Sequence, residues 1–274
     1  MPTLPHQPEP AARQPHRART IAESFGVDAH GYDRARPRYP DALITRIVAE
    51  SPGPEVLDVG CGTGIAGRQL QAAGCRVLGI EPDARMAEFA GAHGLPVEVA
   101  SFETWAPRGR SFDAVVAAQS WHWVDPAAGS AQAARVLRPR GRIAIFGHVF
   151  EPPAEVAEPF ADAYRRAAPD SPFAEQPARR PLELYETTYT NIGESLTATG
   201  TFTSPELWRY DWDRTYTREE WLALLPTTGG LTCLTRSQQA EITEAVGSAI
   251  DALGGRFTMR YTTLAISAIR VCRA

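Results

Sequence analysis

The chain predicts an α/β fold in which a doubly wound, mostly parallel sheet is covered by helices on both faces, and three observations carry that prediction. Short apolar runs at about 55–59, 76–80, 96–100, 112–118 and 142–147 alternate with helical stretches, the pattern of right-handed parallel crossovers. The run Glu55-Val-Leu-Asp-Val-Gly-Cys-Gly-Thr-Gly64 reads as a buried strand passing through a glycine turn into a helix. An acid, Glu81, ends the next apolar run, about 20 residues beyond Asp58, where an open α/β sheet places a carboxylate against a ribose diol.

Taken in order, Met1 to about Thr20 is rich in Pro, Arg, Ala and His without periodicity and is expected to be a disordered tail. A core over 21–150 follows. Its first clear helix opens at Asp41 after Pro40, with Leu43, Ile44 and Ile47 on one face. Ile65 to Ala73 forms the helix after the glycine turn, closed by Gly74. Asp83 caps the next helix, and Asp125-Pro126 starts one that ends before Pro139. From 151 to 205 prolines and aromatics loosen the pattern, which suggests a helical insertion covering the site. Residues 206–274 complete the sheet, with partly alternating runs at Leu207 to Tyr216 and Phe257 to Val271 around a helix from Ser237 to Leu253.

Glycines at 60, 62 and 64 leave the backbone open to a ligand, and the free amides of the following helix point at it. Gly62-Thr-Gly-Ile-Ala-Gly67 also satisfies the dinucleotide pattern, so the glycines alone leave two adenosine-bearing cofactors open. Asp58 distinguishes them. A carboxylate two positions before the turn suits a cofactor with a cationic amino group and repels a pyrophosphate.

The segments Val-Leu-Asp-Val-Gly-Cys-Gly-Thr-Gly, Ile80-Glu-Pro-Asp with Met86, Ser111-Phe-Asp-Ala-Val-Val and Arg135-Val-Leu-Arg-Pro-Arg-Gly occur here in one order. Together they resemble the class I S-adenosylmethionine-dependent methyltransferases, type 11, and most closely the small-molecule branch with trans-aconitate and quinone-ring enzymes. The resemblance covers about residues 25–150. It implies a Rossmann-like sheet of seven strands, the last antiparallel, and S-adenosyl-L-methionine as cofactor with S-adenosyl-L-homocysteine as product. The contacts it implies are Tyr32, Arg36, Asp58, Gly60, Cys61, Gly62, Gly64, Glu81, Pro82, Met86, Ser101, Phe102, Glu103, Ala118 and Gln119. Tyr32 and Arg36 belong to Tyr32-Asp-Arg-Ala-Arg-Pro-Arg-Tyr39, similar to a family segment folded over the cofactor, where an arginine meets the methionine carboxylate. Two positions depart from relatives: Ser101 stands where an Asp often faces adenine, and Pro139-Arg140-Gly141 replaces Pro-Gly-Gly.

Ligands of an open parallel sheet bind beyond the carboxyl ends of its strands, which places Gln119 to His122 and Gly147-His148 at the mouth. His122, then His148, are the candidate general bases for a hydroxyl or ammonium acceptor. The expected partner is a small organic acceptor methylated at oxygen, nitrogen or carbon. A non-methylating or regulatory protein of the same fold and a nicotinamide oxidoreductase are the alternatives. The net charge of −4 gives no support to nucleic acid as partner. All 28 basic residues are Arg, so lysine chemistry is excluded. Cys61, Cys75, Cys233 and Cys272 have neither metal-ligand nor disulfide-scaffold spacing; no metal and a cytoplasmic location are expected. The loop after the fourth strand reads Gln-Ser-Trp-His-Trp, unlike the Asn/Asp-Pro-Pro-Tyr/Phe of amino-methylating nucleic-acid enzymes. It offers only Asp125 toward a catechol-type metal site.

Overall fold

The computed structural model describes residues 25–171, 181–232 and 234–271; the expected tail, residues 1–20, lies outside them. Seven strands form one sheet in the order β3-β2-β1-β4-β5-β7-β6. They are β1 (Glu55–Val59), β2 (Arg76–Glu81), β3 (Val97–Val99), β4 (Phe112–Ala118), β5 (Leu137–Glu151), β6 (Glu206–Thr217) and β7 (Arg256–Ile269). Strands β1 to β5 pair in parallel, and β7 runs antiparallel between β5 and β6. The architecture is therefore the seven-stranded, mostly parallel sheet with an antiparallel last strand that the sequence predicts.

Alternation along the central strands divides the core by face. Leu57, Val59, Val115, Ile143 and Ile145 point to one side, where α5 (Pro126–Val136) and α7 (Pro181–Ala198) cover them with Ala133, Val136, Tyr189 and Leu196. Val56, Ala114, Val116, Ala144 and Phe146 point to the other, under α2 (Asp41–Glu50), α3 (Ile65–Ala72) and α4 (Ala84–Ala92). Strands apolar on both faces need such a sandwich, because either face left open would expose a continuous hydrophobic surface.

A third cluster lies beyond the carboxyl ends of the parallel strands. There α1 (Ala29–Ala35), α6 (Ala154–Ala167), α8 (Arg218–Leu224) and α10 (Arg236–Ala252) pack on Tyr216, Phe257, Met259 and Tyr261; the short α9 (Gly229–Thr232) lies among them. Within 151–205, α6 joins this cluster and α7 lies on the sheet.

The expected fifth strand, 142–147, is extended at both ends. Leu137 already pairs with Phe112, and the irregularity before Ala114 accommodates Arg140, whose φ of 64° takes the conformation a glycine would hold at that turn. Past the last β4 pair, Ala118 with Phe146, β5 continues along β7 to Glu151. The overhang carries His148 beyond the end of β4.

Ile143 is fully buried at the centre of the sheet, so Ile143→Ala is expected to cost about 2–5 kcal/mol in denaturant unfolding. Leu207→Ala, at a position 49% exposed, should stay within about 0.5 kcal/mol; equal losses at the two sites would contradict this account of the core.

Candidate active site

The first strand ends in a turn that only glycine accommodates. Gly60, Gly62 and Gly64 have φ of 64°, 55° and 88°. A Cβ on Gly60 would lie 2.6 Å from the Cβ of Ser120, whose hydroxyl donates to Val59 O, so this glycine lets the loop after β4 close on the end of β1. At Gly62 a Cβ would meet nothing within 4 Å; it would project into open space beside the turn, where a ligand can approach the backbone.

Two carboxylates flank the turn. Asp58 is fully buried, and neither of its oxygens makes a hydrogen bond of good geometry among the described residues, the Gly67 amide acting on it only weakly. Burial, and then the neighbouring Glu81, push its pKa up to about 7, against a pull from the Gly67 amide. Glu81 accepts from Gly62 N at 2.8 Å and Asp83 N at 3.0 Å, one bond to each oxygen, leaving each with acceptor capacity for a hydroxyl. Burial raises it too, to about 7. Thr63 Oγ1 is a further buried oxygen without a partner among the described residues.

The remaining expected contacts around this turn are placed as follows. Met86 and Phe102 are buried, Pro82 is exposed, and Cys61 is buried with its thiol pushed up by desolvation. Ser101 donates to Glu103 at 3.0 Å, and the other oxygen of Glu103 accepts from Asp125 N at 3.0 Å. Glu103 therefore anchors the loop after β4 to the end of β3. Ala118, half-buried, closes β4.

A narrow cavity opens beside the turn, with Tyr32, Arg36, Tyr39, Gln119, His148 and Tyr261 in its wall. Its volume is about 40 Å³. The strap between α1 and α2 forms one side, and α3 holds both the strap, at Tyr39, and α1, at Asp33. Gln69 gives and receives main-chain hydrogen bonds at Tyr39, at 2.8 and 2.9 Å, and Arg68 joins Asp33 at 2.6 Å while donating to Thr63 O. Arg36 lies 4.7 Å over the Tyr32 ring and donates to Thr227 O. Gln119, with φ of 57°, donates to His148 O at 3.3 Å. A wider groove of about 500 Å³, which includes Glu151, Glu183, Glu186 and Asp211, shares no residue with this cavity or with the glycine turn.

The two candidate bases are placed differently. His122 sits in the 3-10 turn Trp121–Trp123, outside the cavity wall, with its ring 4.6 Å from that of Trp123. Surrounding protein lowers its pKa to about 4, yet the side chain is exposed, and water contact outweighs that desolvation. His148 does reach the cavity, stacked on Tyr39 at 4.5 Å. Burial, followed by Arg36, lowers it to about 3, so it is neutral and weakly basic.

The residues that hold His148 were not legible from the sequence. Thr263, directly opposite it on β7, contacts Nδ1 at 2.9 Å and accepts from Trp212 Nε1 at 2.8 Å, and Trp212 stacks on Tyr261 at 4.3 Å. Their only signal is the pairing of β5, β7 and β6, which depends on long-range register. Tyr39 was within reach, because it ends the same segment as Tyr32 and Arg36.

With this geometry in place, residues 57–145 match the family described as a methyltransferase domain. An uncharacterized methyltransferase of Mycobacterium tuberculosis is 38% identical over 130 residues, 46% of this chain and 53% of that protein. The chain therefore spans about half the length of this curated relative. A protein of Anaeromyxobacter dehalogenans, provisionally named a type II methyltransferase, superposes with a TM-score of 0.61 at 25% identity, over 87% of this chain and 99% of its own. The phosphoethanolamine N-methyltransferase 2 of Haemonchus contortus, solved with phosphomonomethylethanolamine and S-adenosylhomocysteine, shares the fold at 15% identity. Its TM-score is 0.52, with 97% of this chain and 62% of that one covered. The matched segment runs from Leu57, in the middle of β1, to Ile145 of β5, enclosing the glycine turn, Glu81 and Gln119.

Both acids are raised above their unfolded values of about 4, so the folded state favours their protonated forms. That contribution is complete below about pH 4 and is lost as pH rises through about 7. The thermal midpoint of the ligand-free protein should accordingly fall more steeply between pH 5 and 8 than that of Asp58→Asn. Parallel profiles would remove Asp58 from the account.

Proposed function

We propose that the chain is an S-adenosylmethionine-dependent methyltransferase acting on a small organic molecule. The observation that carries this function is Asp58: a buried carboxylate without a hydrogen bond of good geometry among the described residues, beneath a turn of three positive-φ glycines. An unpaired buried acid is costly, and a cationic amino group offsets that cost where a pyrophosphate would increase it. The residues present therefore fit the cofactor. Asp58 would face its amino group, Glu81 its ribose hydroxyls, the Gly60 to Gly64 backbone its methionine portion, and Met86, Ser101 and Phe102 its adenine. When bound, S-adenosylmethionine supplies an electrophilic methyl group.

The protein's own contribution is orientation and exclusion of water. Tyr39, Tyr261 and Phe150 give the cavity apolar walls, and the strap fixed by Gln69 and Arg68 closes it from above. Gln119, held at the end of β4 by Phe146 O, presents its amide where acceptor and cofactor would meet. A cavity this narrow and a net charge of −4 favour a small acceptor over nucleic acid.

Calorimetric titration with S-adenosylhomocysteine, with a nicotinamide dinucleotide as control, tests the cofactor. One-to-one binding of the former alone is expected. Asp58→Ala and Glu81→Ala should each weaken it at least about tenfold, or about 1.4 kcal/mol. Unchanged affinity in both folded variants would sink the assignment, and turnover without transfer of a labelled methyl group would replace methylation with another reaction.

A further inference from the structure

Strand β6 ends the sheet: it pairs with β7 alone, and its other edge meets no strand among the described residues. Along such an edge alternate main-chain N–H and C=O groups point outward, and over the twelve residues Glu206–Thr217 they form a long template for another extended chain. Proteins commonly blunt an edge of this kind with a short strand, a proline or a bulge. β6 contains no proline, and its register with β7 is unbroken from Glu206 to Thr217. It carries charges of both signs instead.

These charges gather on one face. Leu207, Arg209, Asp211, Asp213 and Thr215 are all exposed there, and the half-buried Tyr210, Trp212 and Arg214 alternate with them on the other face. Arg209 holds Asp211 through Nε at 3.0 Å and reaches Glu186 through Nη1 at 3.4 Å, which leaves Nη2 for a facing carboxylate. Within this pair the two side chains stay 47% and 58% exposed, so their own chain encloses neither.

The order of the charges suits a second copy of the same strand. Two identical antiparallel strands meet about a twofold axis through one residue, and the choice of that residue fixes every opposite pair. An axis at Arg209, Asp211, Asp213 or Arg214 sets that charge against its own copy, and one at Trp212 sets Asp211 against Asp213 twice. Among the registers that pair at least half of β6, only an axis at Tyr210 avoids like charges. It places Arg209 opposite Asp211 twice, Glu206 opposite Arg214 twice, Trp208 opposite Trp212 twice and Tyr210 opposite itself. Opposite charges and aromatic pairs across strands stabilise an antiparallel ladder, like charges destabilise it, and the twofold doubles each effect.

We propose that β6 is a dimerisation edge: two copies of the chain pair antiparallel over residues 206–214 about Tyr210, joining two seven-stranded sheets into one. The outward main-chain groups of both edges then find partners, and the charges fix the register.

Sedimentation equilibrium over about a hundredfold range of protein concentration is expected to show a monomer–dimer equilibrium. Arg209→Asp and Asp211→Arg, each checked for folding by circular dichroism, set like charges opposite each other twice and should weaken the dimer at least about tenfold. Mixed together, the two variants restore opposite charges across the strands and should form a heterodimer at a concentration where each alone is monomeric. That recovery distinguishes a contact between chains from damage within one, since neither variant regains its own ion pair between positions 209 and 211. A wild-type chain that stays monomeric overturns the proposal, as does a dimer that both variants leave intact or a mixture that stays monomeric. If either variant fails to fold, hydrogen exchange of the wild-type chain decides. Exchange at residues 206–214 should slow as concentration rises, and unchanged exchange there overturns the proposal.

Discussion

The burial of Asp58 at the end of the central strand is the constraint on which the rest of the site depends. Desolvating a carboxylate without a partner costs several kcal/mol, and Asp58 meets part of that cost by favouring its protonated form. The strand can hold it there because its neighbours Val56, Leu57 and Val59 are buried almost completely, and because β2 and β4 pair along both edges. The glycine turn depends on the same position. A chain leaving β1 must fold back at once if α3 is to start directly above the acid, and positive φ at Gly60, Gly62 and Gly64 achieves this. Glu81 then holds the turn through Gly62 N, so the second carboxylate is structural as well as available to a ligand.

The opposite wall of the site is built on the same helix. Gln69 of α3 binds both main-chain groups of Tyr39, and Arg68 bridges Asp33 and Thr63 O. The strap is thus positioned by the element whose first turn faces the cofactor side, and α3 is common to both halves. The far side comes from the overhang of β5, β7 and β6, which continues after the parallel strands have ended. This overhang is stiffened by stacked aromatics and by hydroxyl pairs such as Tyr216 and Tyr261 at 2.7 Å.

Much of this was legible in the sequence where the determinants are local. β1, β2 and β4 are apolar runs bounded by turn residues, and the glycine turn with its two acids is a short-range pattern. The extension of β5 was not legible, because residues 148–151 pair only with β7, more than a hundred positions away. Pro139-Arg140-Gly141 reads as a turn that should start the strand, yet Leu137 before it already pairs with Phe112. The two histidines show the same limit. His122 lies beside two tryptophans in the sequence, but a 3-10 turn has three residues per turn, so Trp121 enters the core while His122 faces solvent. His148 was correctly placed at the mouth, whereas its protonation depends on Thr263 and Trp212, which strand register alone supplies.

That protonation changes what His148 can contribute. A general base must take up a proton near working pH, and burial among Tyr39, Trp212 and Tyr261, together with the Arg36 charge, pushes the proton affinity of this ring well below the usual imidazole range. The same enclosure holds the ring rigidly, since its Nδ1 is fixed from behind by Thr263 and its plane is set by its aromatic neighbours. In the proposed reaction the protein acts by holding two partners in line and keeping water out.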